Sequence, residues 1–117
     1  MKNFLKKLFT KKTTTTFNLR EDFALIEGPR FKSEGPKSAE ELRDDYILPL
    51  TRYFDVVYID LGSCRYAYPS YFLEELFGGM RRLGYSKEYI NAHIVVIGSD
   101  KTEVMECYEY IDKEDWL

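Results

Sequence analysis

Apolar and polar positions recur with two different periods along this chain, and the switch from one period to the other marks its elements. The run Val56-Val57-Tyr58-Ile59-Asp60-Leu61 is β-rich and almost uninterrupted, which predicts a strand covered on both faces. After a short polar turn comes Pro69-Ser70-Tyr71-Phe72-Leu73-Glu74-Glu75-Leu76-Phe77-Gly78-Gly79-Met80, a helical pattern with proline in the first turn, where its missing N–H has no partner to lose. Ser70 thereby stands at a helix N-terminus. There the unpaired backbone N–H groups and the positive end of the helix dipole would favour a phosphate on its hydroxyl.

The same patterning lays out the rest of the chain. Thr13 to Thr16 leads into Phe17-Asn18-Leu19, an early strand by its alternation, and a second extended piece is expected at Phe23 to Ile26. Gly28 to Lys37 is dense in Gly and Pro and reads as a loop. Ser38 followed by Glu41 is a capping box opening a helix that buries Leu42, Tyr46, Ile47, Leu50, Tyr53 and Phe54, with Pro49 forcing a kink or a break. Gly84 stops the Ser70 helix, and Ser86 caps a short turn through Tyr89 and Ile90. His93 to Ile97 is a second buried strand. Asp100 with Glu103 caps a last helix whose Val104, Cys107, Tyr108 and Ile111 share one face. Strands alternating with helices imply a small α/β sheet with right-handed crossovers and a recognition surface at the C-terminal ends of the strands.

Composition narrows this to one domain. The chain has 117 residues, 44% of them hydrophobic and 32% charged, enough for a single core and without the roughly 20-residue apolar stretch that spans a bilayer. Charge is unevenly placed. Lys2, Lys6, Lys7, Lys11 and Lys12 fall in the first twelve residues with no acidic neighbour, leaving twelve basic against twenty acidic residues beyond them. Among those lysines Phe4, Leu5, Leu8 and Phe9 recur at helical spacing, so Phe4-Leu5-Lys6-Lys7-Leu8-Phe9 is a basic amphipathic arm, residues 1–13, ahead of a domain of residues 14–117. It is open to two readings, a mobile or self-docked arm and a segment that docks on an anionic membrane or a partner. Nucleic acid is not an expected partner, because the acidic body opposes a phosphate backbone.

Enzymatic constellations are largely missing. Gly35-Pro36-Lys37-Ser38 departs from a phosphate-binding loop by its proline and by the lack of a preceding strand. The single histidine, His93, and the separated Cys64 and Cys107, read as reduced thiols, offer neither a metal set nor a Cys-His nucleophile, and no cofactor is expected. Glu74 and Glu75 point about 100 degrees apart on a helix and suit the helix dipole better than a paired acid and base. The Gly78-Gly79 pair costs helix stability, about 1 kcal/mol per residue, which implies close packing against the sheet or another chain.

The segments Phe17 to Phe23, Gly28-Pro29-Arg30, Ser33 to Ser38, Ile47 to Leu50, and above all Ser70-Tyr71-Phe72-Leu73-Glu74-Glu75-Leu76-Phe77-Gly78-Gly79 resemble the bacterial STAS-like family of unknown function over about residues 14 to 112. The family is related to the STAS domains of anti-sigma-factor antagonists. The resemblance implies a single α/β domain with a mixed, mostly parallel sheet flanked by helices, and a non-catalytic regulatory module of the cytoplasm, peripheral to the inner membrane face if the arm binds lipid. It also implies a protein partner, a GHKL-type kinase or an anti-sigma-like protein, and a serine switched by phosphorylation in an Asp-Ser-Ser-Gly-type motif. Ser70 is the matching position, with Tyr68, Pro69 and Tyr71 in place of the Asp, the first Ser and the Gly. The contact surface expected around it is Arg65, Tyr66, Tyr68, Ser70, Tyr71 and Glu74. The alternatives are a sensor holding an anion or nucleotide at the N-termini of the Ser38 and Ser70 helices, with Arg30 and Lys37 supplying charge, and a membrane-associated adaptor using the arm.

Overall fold

The computed structural model describes residues 13–62 and 66–113. Among the described residues three strands, β1 (Thr14–Asn18), β2 (Val56–Asp60) and β3 (Ile94–Ile97), form a parallel sheet in that order. β2 is therefore central, as its apolar sequence predicts. Both crossovers advance in the same direction, which for right-handed connections puts their helices on one face. The Thr run is itself β1, paired with β2 from Thr14 opposite Val56 to Asn18 opposite Asp60.

Burial along the strands alternates. Val57, Ile59, Ile94 and Val96 are fully or nearly buried under the helices, while Tyr58 and Ile97 remain 36% and 37% exposed on the other face. The expectation of a strand covered on both faces is thus corrected: the apolar run hides a one-sided sheet. Two further expectations change. Phe23 ends a π-helical turn (Leu19–Phe23) rather than opening an extended piece, because Asn18 accepts from the Arg20 and Glu21 N–H groups and coils the chain. His93 is the last residue of a helix, and β3 begins one residue later.

Helix α1 runs over residues 39–53 and α2 over residues 70–82, each with a π-helical middle, Leu42–Ile47 and Glu74–Gly78. α3 is Lys87–His93 and α4 is Lys101–Asp112. Ser38 caps α1 by accepting from the Glu41 N–H at 3.0 Å, while Glu41 reaches back past it to the Lys37 N–H. The chain stays helical across Pro49 because the widened turns before it replace the i→i−4 bond that proline cannot make. Leu42 and Ile47 are buried as expected, but Tyr53 is 82% exposed, since the helix ends there and turns it outward. α2 ends where Gly84 adopts φ +103°, with the Tyr85 N–H bonded to Met80 O and the Gly84 N–H to Arg81 O, a Schellman closure. Arg81 then donates to Ile111 O and Lys113 O, satisfying the end of α4.

The helix layer is held by a charge as well as by its apolar core. Arg43 of α1 and Glu75 of α2, each 5% exposed, form a direct ion pair, and Arg43 also donates to the Glu75 carbonyl at 3.3 Å. The second oxygen of Glu75 receives Arg82 at 3.1 Å and Arg30 at 3.4 Å. Gly79 makes room for this contact. A Cβ there would stand 2.2 Å from Arg43 Nη1 and 2.8 Å from Glu75 Oε2, so Gly79 packs closely, but against the guanidinium of α1 rather than against the sheet or another chain as the glycine pair led one to expect.

Gly79→Ala tests that reading by its sign. In an unobstructed helix the change stabilises by about 1 kcal/mol; here it should cost roughly 3 kcal/mol in urea unfolding, the scale of a broken buried pair. A variant as stable as the parent would show that the pair can move aside.

Candidate functional site

The loop from β2 to α2 starts with Asp60, whose Oδ1 accepts from the Gly62 N–H at 2.8 Å, and ends at Pro69, which has extended backbone (φ −60°, ψ 145°) just before the first helical residue, Ser70. Cys64 and Arg65 lie outside the described residues, as do Phe4, Leu5, Lys6, Lys7, Leu8 and Phe9. The described part of the loop is fixed from two sides. The Tyr68 N–H donates to Glu103 Oε2 of α4 at 2.6 Å. The Arg20 guanidinium lies 3.8 Å from the Tyr68 ring centroid and donates to the Tyr66 carbonyl at 3.3 Å. Tyr68 also stacks on Phe72 with centroids 5.6 Å apart.

This anchoring sorts the expected contact residues. Tyr68 is only 6% exposed and faces the core, whereas Tyr66 is 72% exposed and Ser70 and Tyr71 face solvent. The Tyr71 hydroxyl donates to the Gly28 carbonyl at 3.1 Å. Glu74 is paired with Arg30 at 2.8 Å and with Arg82. Burial alone would raise its carboxyl, but those two arginines override it and hold it below the ordinary range. The first turn of α2, which holds Ser70, packs against α4, where the Tyr110 O–H donates to Glu106 Oε2 at 2.7 Å. Burial and Glu106 together push the Tyr110 phenol up to about 12. Ser70 thus stands where the first turn of α2 meets α4.

The candidate anion ligands do not converge. Ser38 is fully buried and its oxygen is taken by the Glu41 N–H. Arg30 is engaged by two carboxylates, and the Lys37 ammonium sits 5.1 Å over the Phe23 ring. An opening at the C-terminal ends of the strands lies elsewhere. It is a cavity of about 590 Å³ lined by Asn18, Arg20, Glu21, Leu25, Asp60 and Ser99 among others, at the end of the sheet where the strand order predicts a recognition surface.

Sequence reasoning missed Arg20, Arg43 and Tyr110, and it gave Glu103 to a capping box. Asp100 does accept from the Thr102 and Glu103 N–H groups, but the Glu103 carboxylate turns to the loop instead. The spacing of Glu106 and Tyr110, four residues on a helix, was the one available signal for that pair. No described helix is long and apolar enough to cross a membrane.

Residues 38–103, more than half of the chain, match the model of a family described as a STAS-like domain of unknown function. The match covers α1, β2, α2, α3, β3 and the start of α4, and leaves β1 outside. No curated protein and no solved structure matches the chain.

Glu103 gives the site a pH signature. Burial raises its pKa, with the Tyr68 N–H partly opposing, so the folded state holds the proton more tightly than the unfolded chain. Wild-type stability should therefore fall as pH rises from the ordinary carboxylate value through the raised one. Glu103→Gln lacks this term, so its urea midpoint relative to wild type should improve between pH 4 and pH 7. A constant difference over that range would argue against it.

Proposed function

Because the chain belongs to the family of STAS-like domains of unknown function, we propose that it is a non-catalytic regulatory module that binds a protein partner through the Ser70 edge and is switched by phosphorylation there. The observation that carries this reading is the position of the Ser70 hydroxyl: exposed, on the first residue of the helix that follows the central strand, and where that helix packs against α4. A phosphate there would gain from the free N–H groups of the first turn. It would also set nearly two negative charges against Glu106 and Glu74. The exposed surface at Tyr66, Ser70 and Tyr71 would then change in charge while the buried supports, Tyr68, Arg20 and Glu103, stay in place. Exposed tyrosines suit a contact surface. A GHKL-type kinase or an anti-sigma-like protein is the partner class in this reading, and the cytoplasm its setting.

A second reading, small-ligand sensing, is favoured by the strand-end cavity rather than by Arg30, Lys37 and Ser38. Thermal denaturation with a panel of nucleotides separates the two, since a ligand held by the native state raises the midpoint; a rise of several degrees supports sensing, and none at millimolar ligand rejects it.

Affinity capture from the native host with wild type, Ser70→Ala and Ser70→Glu tests the switch. Wild type and Ser70→Ala should recover a common partner that Ser70→Glu recovers about tenfold less, with circular dichroism showing all three folded. Equal recovery by all three would sink the phosphoswitch.

A further inference from the structure

We propose that the open face of the sheet is the docking site of the chain's own first twelve residues, with Phe4, Leu5, Leu8 and Phe9 packed against Val56, Tyr58, Val95 and Ile97. The proposal is independent of the Ser70 reading. A sheet face turned to water ordinarily carries polar side chains. β1 follows that rule with Thr14, Thr16 and Asn18, but the outward positions Val56 and Tyr58 of β2 and Val95 and Ile97 of β3 make an apolar stripe. Among the described residues no helix covers it, because both crossovers place their helices on the opposite face.

Chain length and attachment point select the occupant. Thr13 is pinned at the base of β1: its N–H donates to Asp55 Oδ2 at 2.9 Å and its carbonyl accepts the Val56 N–H at 3.1 Å. The twelve residues before it therefore start at the edge of this face. Thr10, Lys11 and Lys12 in extended form reach about 10 Å, two strand spacings of about 4.8 Å, which brings Phe4 to Phe9 over β2 and β3. The nine residues before that linker make a helix about 14 Å long, which fits within the length of a five-residue strand.

Charge points the same way. The arm has five lysines and no acidic residue, against twenty acidic and twelve basic residues in the remainder. Asp60 lies on the open face itself, paired with Ile97. A basic segment this short is marginal as a free helix; an apolar stripe with an acidic end supplies the burial it lacks.

The test uses the full chain with photoreactive p-benzoylphenylalanine in place of Tyr58, or in place of Leu83, which is exposed at the end of α2. The expected result is a cross-link within one chain from position 58 to residues 4–9, falling at least about fivefold in the Leu5→Asp/Leu8→Asp variant and absent from position 83. Links between two chains would make the face a dimer surface and overturn the proposal, as would equal links from both positions. So would no link to the arm, whether or not the chain sediments with phosphatidylcholine–phosphatidylglycerol vesicles; Leu5-dependent sedimentation in that case would make the arm a membrane segment.

Discussion

The position of α2 depends on a buried charge pair. Arg43 and Glu75 face each other between two helices that have no covalent reason to hold a register, and both are withdrawn from water. Burying either charge alone would cost several kcal/mol, so each is tolerable only with the other in place. The surroundings complete the pairing: Asp44 accepts from Arg43 Nε at 2.7 Å, and Arg30 and Arg82 serve both Glu74 and Glu75. An apolar contact could slide by a turn at small cost. A guanidinium lying over Gly79 cannot, so this pair fixes register even where its net contribution to stability is small.

Register passes from that pair to the far end of α2. With Glu75 fixed against α1, the first turn of α2 is carried to α4, where Tyr68 meets Glu103. Arg20, from the turn after β1, closes the same loop from the other side. The exposed hydroxyl therefore rests on buried contacts from three separate parts of the chain. Such an arrangement holds one exposed group in a defined place without requiring its neighbours to move.

The parts legible in the sequence are those set by local rules. The central strand, the caps at Ser38, Ser86 and Asp100, and the stop at Gly84 follow from propensity and short-range hydrogen bonding, and the structure places each where that chemistry puts it, while Pro69 stands just before the first turn expected of it, with extended backbone. Arg43 was illegible because a single arginine among Glu40, Asp44 and Asp45 reads as a solvated helix face. Glu75 was illegible for a related reason: beside Glu74 it looks like a charge complementing the dipole, and only tertiary packing separates a buried member from a half-exposed one. The one-sidedness of β2 was hidden by Val56 and Tyr58, whose apolar character on the open face mimics a covered strand.

The sheet's two edges bear on that last point. At β3 the Val96 N–H, which would otherwise be free to pair with another strand, is taken by the Tyr108 hydroxyl at 2.9 Å, and α4 packs beside it. An edge closed in this way resists addition of a further strand. β1 is short and rich in threonine, and its outward side chains are polar. Both edges thus carry features that disfavour chance association, while the apolar stripe between them on the open face carries none. The open face is therefore the part of the described sheet that such features leave unguarded, and the strand-end cavity and the Ser70 loop lie at the end of the sheet toward which its apolar stripe runs.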